Sequence, residues 1–283
     1  LKNIKNNSRY KFVHGDICDK ELVDQIFLEH KIDGVINFAA ETHVDNSILN
    51  PDIFIKTNIN GVFNLLNIAY KFWMDNPFKV KEKFKLARFH QISTDEVYGS
   101  IEEGSFSEQS KYSPNSPYSA SKASADMIVR SFHKTYGMNT TVSISSNNFG
   151  PNQNNEKFIP KIIKFLRSNK PVPVYGNGTN IRDWIYVDDH CKLIDIIFNK
   201  SVSGQTYNIG GENELTNLKL IDSIFEILNN SKEYNYDKKI NFIIDRYGHD
   251  KRYSLNIEKI KKDFDWKTNS HFIKNLKNII YKS

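Results

Sequence analysis

Cysteine is scarce in this chain of 283 residues, which contains only Cys18 and Cys191. Two cysteines at that separation suit neither a disulfide framework nor a zinc site, so we expect both thiols to stay reduced. The chain also lacks any run of about 18 apolar residues, and its first residues do not form a charged-then-apolar signal segment. We therefore predict neither a membrane span nor an export signal, and we expect a cytoplasmic protein.

Charge of one sign is not concentrated anywhere in the sequence. Lys and Arg total 39 against 33 Asp and Glu, and the net charge of +6 favours anionic ligands without identifying one. The basic residues are scattered, with one denser stretch between Lys79 and Lys85, and neither an arginine-rich helix nor an aromatic RNA-binding signature occurs. We therefore predict no nucleic-acid partner.

A glycine-rich turn between a first strand and a first helix is also absent from the sequence. Such a turn normally opens a dinucleotide-binding sheet, because the helix N-terminus behind it receives the pyrophosphate. The glycines of Gly176-Asn177-Gly178 come too late in the chain and lack a third member. We expect that the first strand, the glycine loop, the first helix and the second strand are missing, so that residue 10 enters the sheet near its third strand.

The sequence does contain an alternation of apolar, β-branched runs with longer helical stretches. This alternation is typical of parallel strands joined by crossover helices, so we predict an α/β fold with a doubly wound parallel sheet. Four runs are apolar on consecutive positions, as strands covered on both faces require: Tyr10–His14, Gly34–Ala39, Ala87–Ser93 and Thr140–Ser145. After Gly150 the elements become shorter and the turns more polar. We therefore predict a first domain at residues 1–150, to which residues 183–211 return, and a smaller α+β domain at residues 151–283.

A tyrosine and a lysine stand four residues apart in Tyr118-Ser-Ala-Ser-Lys122. On a helix they share one face, where the ammonium group favours ionisation of a phenol whose unperturbed pKa is about 10. A tyrosinate can accept a hydroxyl proton while hydride leaves the same carbon. The spacing alone is weak evidence, because it arises easily by chance, and the alternative for any one such pair is an exposed helix face. It recurs in two further pairs, Tyr234 with Lys238 and Tyr247 with Lys251.

The surroundings of Tyr118 distinguish this pair from the other two. Ser116 and Pro117 are typical of a helix cap and first turn, and Gly137 is typical of a helix end. The preceding segment, from Gly99 to Pro117, is rich in Ser, Pro and Glu, which predicts a long loop of the kind that is often functional. We therefore favour Tyr118 as a functional residue.

The predicted strand before this loop ends in the polar residues Thr94, Asp95 and Glu96. Ligands of open α/β sheets bind beyond the carboxyl ends of the strands. Two neighbouring carboxyl groups can divide acid and base roles there if their surroundings separate their pKa values. The alternative is a solvated turn that caps the next segment.

A divalent metal site is a further alternative for the two acids. Its remaining ligands would come from a later acidic stretch: Asp188, Asp189 and His190. Asp188 is better explained as the N-cap of a helix that follows a strand at Ile185–Val187. We therefore predict no metal.

The stretches Ser93-Thr-Asp-Glu-Val-Tyr-Gly99 and Ser116-Pro-Tyr-Ser-Ala-Ser-Lys-Ala123 resemble the nucleoside-diphosphate-glucose 4,6-dehydratases, above all those that act on dTDP-glucose. The likeness extends over nearly the whole chain through further stretches: Gly15-Asp-Ile17, Phe38-Ala-Ala-Glu-Thr-His-Val-Asp45, Thr57-Asn58, Ser146-Asn-Asn-Phe-Gly-Pro151, Ile181-Arg-Asp-Trp184, Tyr207-Asn-Ile-Gly-Gly211 and Asp245-Arg-Tyr-Gly-His-Asp250. The Thr-Asp-Glu triplet is the specific part. Sugar-nucleotide 4-epimerases of similar fold usually lack the acid pair, and GDP-mannose dehydratases resemble Thr-Ser-Glu there.

The resemblance implies an NAD-dependent lyase that oxidises the sugar at C4, eliminates water across C5 and C6, and returns the hydride to C6. Tyr118 would be the base at the C4 hydroxyl, Lys122 would tune it and hold the nicotinamide ribose, and Thr94 would bind the C4 oxygen. Glu96 would remove the C5 proton. Asp95, protonated, would donate to the departing C6 hydroxyl.

The resemblance also implies two sets of binding residues. The cofactor set is Asp16, Ile17, Phe38, Ala39, Ala40, Thr57, Tyr118, Lys122 and Asn148. The substrate set is Thr42, Thr94, Asn147, Lys157, Phe158, Pro173, Val174, Tyr175, Arg182, Asn217, Asp245, Arg246, Tyr247, Gly248 and His249. Arg182 suits diphosphate oxygens because a guanidinium donates paired hydrogen bonds. The alternative role for Arg182 is a surface ion pair with Asp183. Glu41 lies in the cofactor stretch but serves mainly structure.

Several alternatives stay open at this point. The nucleotide of the substrate can be dTDP or UDP. The family usually has proline where Tyr247 stands, so the loop that closes on the nucleotide can differ in shape, and the assignment of the base is weaker for that reason. A 4-epimerase or decarboxylase keeps the fold but has no evident use for Asp95 and Glu96. A non-catalytic sugar-nucleotide-binding protein is suggested by the absent glycine turn, without which we expect weak NAD binding. The resemblance further implies a homodimer that pairs helices, including the helix of Tyr118.

Overall fold

A computed structural model describes residues 4–229, 239–268 and 271–282, so the pair Tyr234 and Lys238 lies outside the described residues. No helix within these ranges combines the length and the apolar character needed to span a membrane.

The α-helices are α1 (Lys20–His30), α2 (Val44–Leu49), α3 (Pro51–Phe54), α4 (Val62–Trp73), α5 (Pro117–Tyr136), α6 (Phe158–Arg167), α7 (Val187–Lys200), α8 (Asn217–Asn229), α9 (Glu258–Phe264) and α10 (Phe272–Lys282). A π-helix at Ile55–Gly61 and 3₁₀ helices at Glu82–Phe84 and Asp95–Tyr98 complete the helical elements of these ranges. The strands are β1 (Gly34–Asn37), β2 (Met74–Asn76), β3 (Lys79–Val80), β4 (Arg88–Thr94), β5 (Thr140–Ser145), β6 (Asn147–Phe149), β7 (Val172–Tyr175), β8 (Ile181–Tyr186), β9 (Thr206–Ile209), β10 (Glu214–Thr216) and β11 (Ile240–Ile243).

The main sheet has four strands in the order β1, β4, β5, β9, and every neighbouring pair is parallel. All six residues of β5 are buried, so both faces of the sheet are covered at this strand. Helix α5 packs against β4 and β5, and α7 also contacts β5. This architecture confirms the predicted α/β class, because parallel strands need helical crossovers on the faces of the sheet.

The predicted strands differ in how well they match the structure. Thr140–Ser145 is confirmed residue for residue, and Arg88–Thr94 is shifted by one position from its predicted bounds. The strand predicted at Gly34–Ala39 ends at Asn37, whose side chain accepts a hydrogen bond from the Ala39 backbone and holds a turn there. The strand predicted at Tyr10–His14 is wrong: the segment is not a strand and pairs with no strand of the described residues, and Phe12 is 67% exposed.

Helix α5 begins and ends where its sequence predicts. Ser116 is the N-cap and forms a capping box with Ser119, Pro117 occupies the first turn, and Gly137 ends the helix at a φ of 71°. Helix α7 corrects another prediction, because its N-cap is Tyr186 and Asp188 therefore lies inside the first turn. An acidic residue in the first turn stabilises a helix through the macrodipole just as it would at the cap, so composition alone does not separate the two positions.

The hydrophobic core consists of three clusters. The first joins α1, α4 and α5 to the main sheet, and the second joins α6, α8 and α10. The third lies between α7, α9 and β9. Strand β8 pairs with β6 and β10 in a second, mixed sheet, whereas β9 returns to the main sheet. These pairings accord with a return of the chain to the first region, but the domain bounds at residue 150 stay a prediction.

Candidate active site

A cleft of about 220 Å³ lies between the carboxyl ends of the main-sheet strands and the second half of the chain. Its lining includes eleven residues of the predicted substrate and catalytic sets: Thr42, Glu96, Asn147, Lys157, Phe158, Pro173, Tyr175, Arg182, Asn217, Arg246 and His249. Six lining residues were not predicted: His43, Val44, Asp45, Glu156, Lys161 and Trp184. The signal for four of them was present in the sequence, since His43, Val44, Asp45 and Trp184 belong to stretches that carried the resemblance.

Five residues of the predicted substrate set do not line this cleft: Thr94, Val174, Asp245, Tyr247 and Gly248. Val174 is fully buried in the second core cluster, and Tyr247 is 89% exposed. Asp245 and Gly248 belong to the same loop as His249 and support its shape. The structure therefore brings most of the predicted set together, while the roles of these residues stay predictions.

The Thr94-Asp95-Glu96 triplet turns directly from β4 into a 3₁₀ helix. The Thr94 hydroxyl accepts from the Glu96 backbone at 3.4 Å and donates to Asp95 at 3.3 Å. Asp95 is only 2% exposed, and its Oδ2 has no hydrogen-bond partner within the described ranges. The alternative of a solvated turn that caps the next segment is therefore half right: Thr94 caps the 3₁₀ helix, but Asp95 is buried and not solvated. A buried carboxyl oxygen without a partner is costly for a structure to retain.

Burial dominates the ionisation of both acids. It raises the pKa of Asp95 well above its usual value, and the charge of Glu96 adds to this effect while Arg182 opposes it. The pKa of Glu96 is also raised by burial, but Arg182 and Arg246 both act to lower it. The surroundings therefore favour a protonated Asp95 and a more readily ionised Glu96, which is the separation that acid and base roles require.

Tyr118 and Lys122 lie on the buried face of α5, so an exposed helix face is wrong for this pair. Tyr118 is 8% exposed, and its pKa is raised first by burial and then by the charge of Glu96, whereas a hydrogen bond with Thr94 lowers it. Lys122 donates from Nζ to the Ile92 carbonyl at 2.6 Å, and burial lowers its pKa. Burial and the nearby acids therefore favour the protonated phenol, and positive charge close to the ring would lower its pKa.

The pair Tyr247 and Lys251 behaves as chance spacing. Both residues are exposed and lie in a turn and a bend rather than in a helix. The identical sequence spacing thus corresponds to two different environments, and of the two pairs that the structure describes, Tyr118 and Lys122 are the buried one.

Arg182 is held by backbone carbonyls and not by an ion pair with Asp183. It donates to the carbonyls of Ile181 at 2.7 Å, Asp250 at 2.8 Å and Lys251 at 3.3 Å. The predicted alternative is wrong because Asp183 accepts from the Gly211 and Asn213 backbones instead, at 2.7 and 2.6 Å. The guanidinium therefore lines the cleft without a salt bridge to any carboxylate of the described residues, while its charge acts on Asp95 and Glu96.

Cations and acids alternate around the rest of the cleft. Lys157 donates to the backbone and the hydroxyl of Thr42 at 3.0 and 2.9 Å. Tyr175 donates to Asp45 at 3.0 Å, and Arg246 lies 3.4 Å from the same carboxylate. His249 pairs with Asp245 at 2.6 Å across one turn of the loop. These contacts link segments from both halves of the sequence around one space.

The predicted cofactor residues come from several segments: Phe38, Ala39 and Ala40 directly follow β1, and Asn148 lies in β6. Phe38 is 57% exposed and offers an apolar surface next to Ala39. Asn148 donates from Nδ2 to Ser145 and Ser146, but its buried Oδ1 has no partner in the described part of the chain. Asp16 accepts from the Cys18 backbone at 2.8 Å, and Thr57 lies in the π-helix. An amide oxygen without a partner in the described residues fits the carboxamide of a nicotinamide, although no glycine-rich turn occurs in the sequence to bind the pyrophosphate.

The residues of the metal alternative do not form a metal site. Across the ranges that the structure describes, no group of three or more His, Cys, Asp or Glu side chains could hold a metal ion. Asp189 and His190 are buried on α7, where Asp189 lies 3.8 Å from Lys192.

Comparison with known proteins places this architecture in a family. The family model described as GDP-mannose 4,6 dehydratase matches residues 1–279. A dTDP-glucose 4,6-dehydratase of Escherichia coli is 46% identical over 282 residues, covering 94% of this chain and 77% of that protein. A dTDP-glucose 4,6-dehydratase of Neisseria gonorrhoeae is 44% identical over 274 residues, with 94% of this chain and 78% of the relative covered.

Solved structures show the same fold in dehydratases and in an epimerase. A dTDP-glucose 4,6-dehydratase of Streptomyces venezuelae with NAD and TYD bound has a TM-score of 0.90 at 36% identity, covering 99% of this chain and 81% of its own. A UDP-glucose 4-epimerase of Thermotoga maritima with UDP-glucose has a TM-score of 0.84 at 26% identity, covering 97% and 84%. Because the family model matches almost the whole sequence and the dehydratase relatives exceed 40% identity, this chain belongs to the GDP-mannose 4,6 dehydratase family.

Proposed function

We propose that this protein converts dTDP-glucose to dTDP-4-keto-6-deoxyglucose with NAD as its cofactor. Relatives of 46% and 44% identity are dTDP-glucose 4,6-dehydratases, and solved dehydratases from Streptomyces venezuelae and Bacillus anthracis contain NAD. The observation that carries the proposal is the acid pair of buried Asp95 and half-buried Glu96 beside the buried Tyr118. A 4-epimerase needs only the tyrosine, whereas elimination of water needs an acid and a base in addition.

Oxidation at C4 is the first step of the proposed reaction. NAD, when bound, supplies a cationic ring that accepts hydride from C4 and later returns it to C6. Tyr118 would accept the C4 hydroxyl proton, because positive charge near a buried phenol lowers its pKa. Thr94 would hold the C4 oxygen, and Lys122 would add positive charge on the same helix face.

Elimination of water across C5 and C6 is the second step. A carbonyl at C4 acidifies the C5 proton, so a carboxylate can remove it. Glu96 would act as this base, since Arg182 and Arg246 oppose the effect of burial on its pKa, and it would give a proton back to C5 when hydride returns to C6. Asp95 would protonate the departing C6 hydroxyl, because burial keeps the pKa of this acid well above its usual value. The order is set by chemistry, as the C5 proton is far less acidic before C4 is oxidised.

Substrate binding is assigned to the cationic side of the cleft and to residues 151–283, which we propose as the nucleotide-sugar region. Arg182, Arg246 and Lys157 line the cleft, and arginine can grip diphosphate oxygens with paired hydrogen bonds. The remaining predicted contacts keep the same assignment: Thr42, Asn147, Phe158, Pro173, Val174, Tyr175, Asn217, Asp245, Tyr247, Gly248 and His249.

Cofactor binding is assigned to the residues beside the ends of β1 and β6. Asn148 would accept from the nicotinamide carboxamide with its unpartnered Oδ1. The other assigned contacts are Asp16, Ile17, Phe38, Ala39, Ala40 and Thr57.

A product assay separates this proposal from its rivals. The protein expressed from its complete gene is incubated with NAD and either dTDP-glucose or UDP-glucose, and the products are identified by mass spectrometry and NMR. We expect a 4-keto-6-deoxy sugar from dTDP-glucose. Conversion of dTDP-glucose to dTDP-galactose would establish an epimerase instead. Tight binding of dTDP-glucose without measurable NAD affinity would establish a non-catalytic binding protein.

We further propose that the protein is a cytoplasmic homodimer that pairs the face formed by the π-helix, α4 and α5. Three large apolar side chains on these elements are about half exposed: Ile55, Phe63 and Met127. The rings of Phe63 and Phe132 lie 6.2 Å apart, so α4 and α5 present adjoining surfaces. Sedimentation equilibrium of the protein and of Met127→Glu tests this proposal: we expect a dimer that the charged variant weakens, and a monomeric wild type would contradict it.

A further inference from the structure

Asp250 is a buried acid directly after the predicted substrate loop, and neither predicted set includes it. It is 6% exposed. Its Oδ1 accepts from the Asn115 side-chain amide at 2.7 Å, and its Oδ2 accepts from the Tyr253 hydroxyl at 2.8 Å. Both carboxylate oxygens therefore have a defined donor.

The same residue also fixes Arg182 from two sides. The Asp250 carbonyl accepts from Arg182 Nη2 at 2.8 Å and from the Asn180 amide at 3.2 Å. The Tyr253 ring, which Asp250 orients through its hydroxyl, lies 4.2 Å from the Arg182 guanidinium carbon. A planar guanidinium stacked on one face and bonded along an edge keeps few rotamers.

Asn115 connects this network to the catalytic helix. It directly precedes Ser116, the N-cap of α5. A second contact lies close by, because a Cβ at Gly248 would come within 2.4 Å of the Asn115 carbonyl oxygen. The φ of Gly248 is 67°, a conformation that other residues rarely adopt. The substrate loop and the start of α5 thus touch at two points although 133 residues separate Asn115 from Gly248 in sequence.

We propose that Asp250 is a positioning residue that joins the Asn115 side chain to Arg182 and so holds the substrate loop and the start of the Tyr118 helix in one geometry. Two consequences follow. Breaking the bond to Asn115 frees the loop, and the diphosphate contact of Arg182 weakens with it. The diphosphate part of this inference rests on the proposed function, whereas the coupling between loop and helix does not.

Exchange of donor and acceptor tests the bond directly. Asn115→Asp places a second carboxylate against Asp250 and removes the donated hydrogen bond. Adding Asp250→Asn restores it, because the new amide at 250 donates to the new carboxylate at 115 while its oxygen still accepts from Tyr253. The double exchange also keeps the net charge and nearly the same side-chain volumes.

Two measurements are made on each protein: the dissociation constant of dTDP by calorimetry and the hydrogen exchange of peptides that cover residues 111–120 and 244–254. For Asn115→Asp we expect dTDP binding weaker by about tenfold, the size typical of losing a charge-assisted hydrogen bond, with faster exchange in both peptides. For the double exchange we expect both values to return to within about threefold of the wild type.

Asn199→Asp is the matched control. Asn199 donates to Asp195 at 3.0 Å on the exposed end of α7, so this variant also sets a carboxylate against an aspartate, but at a residue that does not line the cleft. We expect it to change neither measurement.

The outcomes separate the inference from the function on which it rests. Unchanged exchange in either peptide of Asn115→Asp, or a double exchange no better than that single variant, would overturn the positioning role. If exchange follows the expected pattern but the wild type binds no dTDP, the coupling of loop and helix stands and the proposed substrate is wrong.

Discussion

At the level of single residues, burial and nearby guanidinium groups divide the roles of two adjacent acids. Asp95 is enclosed, one of its oxygens has no partner in the described part of the chain, and its pKa lies well above the usual value. Glu96 reaches the cleft, where Arg182 and Arg246 oppose the effect of burial on its pKa. One side chain therefore keeps a proton to give and the other can lose one, so substitutions at the two positions should block different steps.

Glu96→Gln should stop removal of the C5 proton and leave oxidation at C4 possible. We expect solvent deuterium exchange at C5 to disappear, product formation to fall by about 10²- to 10⁴-fold, and NADH to form transiently. Stopped-flow absorbance and NMR of recovered substrate measure these effects, with Glu226→Gln on the exposed side of α8 as control. Undiminished C5 exchange would remove Glu96 from the base role.

Asp95→Asn should instead spare C5 exchange and slow the loss of water. An amide fits the space of Asp95 but cannot transfer a proton to the C6 hydroxyl, so we expect oxidised, C5-deuterated sugar to accumulate. Rapid quench followed by mass spectrometry detects this species. Loss of C5 exchange together with water loss would contradict separate roles for the two acids.

At the level of elements, a buried histidine makes the pairing of β4 and β5 sensitive to acid. His90 bonds Thr141 at 2.8 Å and Ser143 at 3.0 Å. Burial lowers its pKa to about 3, with smaller effects of the charges of His190 and Arg88. A histidine in the unfolded chain has a pKa of about 6.5, so below that pH the unfolded chain binds more protons than the folded one. The stabilisation from neutral His90 is therefore complete above pH 6.5 and declines as the pH falls towards 3.

His90→Gln isolates this effect, since glutamine keeps a polar side chain but does not titrate. We expect the difference in unfolding free energy between wild type and variant to shrink by about 2 kcal/mol from pH 7 to pH 5, at about 1.4 kcal/mol per pH unit below the unfolded pKa. Urea unfolding at both pH values measures it. A difference that stays constant with pH would show that His90 is not held neutral by the fold.

Helices and strands differ in how far the sequence alone predicts them. Thr140–Ser145 and α5 follow from local signals: consecutive apolar positions in the first, Ser116, Pro117 and Gly137 in the second. Tyr10–His14 has the local pattern of a strand but no paired neighbour in the described ranges, and a strand exists only through its partners. The partners of Arg182 were likewise unpredictable, because backbone carbonyls of a segment some 70 residues away leave no pattern in the sequence.

At the level of the whole molecule, the cleft collects side chains from distant segments, among them Thr42, Glu96, Arg182 and His249. The resemblance to a family supplied most of this set, whereas spacing alone supplied only the acid pair and the Tyr118 pair. Asp45 was missed as a cleft residue, although it bonds Tyr175 and Arg246 from the opposite half of the sequence. Such bridges depend on the packing of the two halves, which no single stretch of sequence encodes.

The fate of the hydrogen at C4 tests the central claim most directly. The protein is incubated with NAD and dTDP-glucose carrying deuterium at C4, and the position of the label in the product is read by NMR. Since the proposed reaction takes hydride from C4 and delivers the same hydride to C6, we expect a 4-keto-6-deoxy sugar with the deuterium at C6. Deuterium that returns to C4 of an epimerised hexose, or that is lost to solvent, would contradict it.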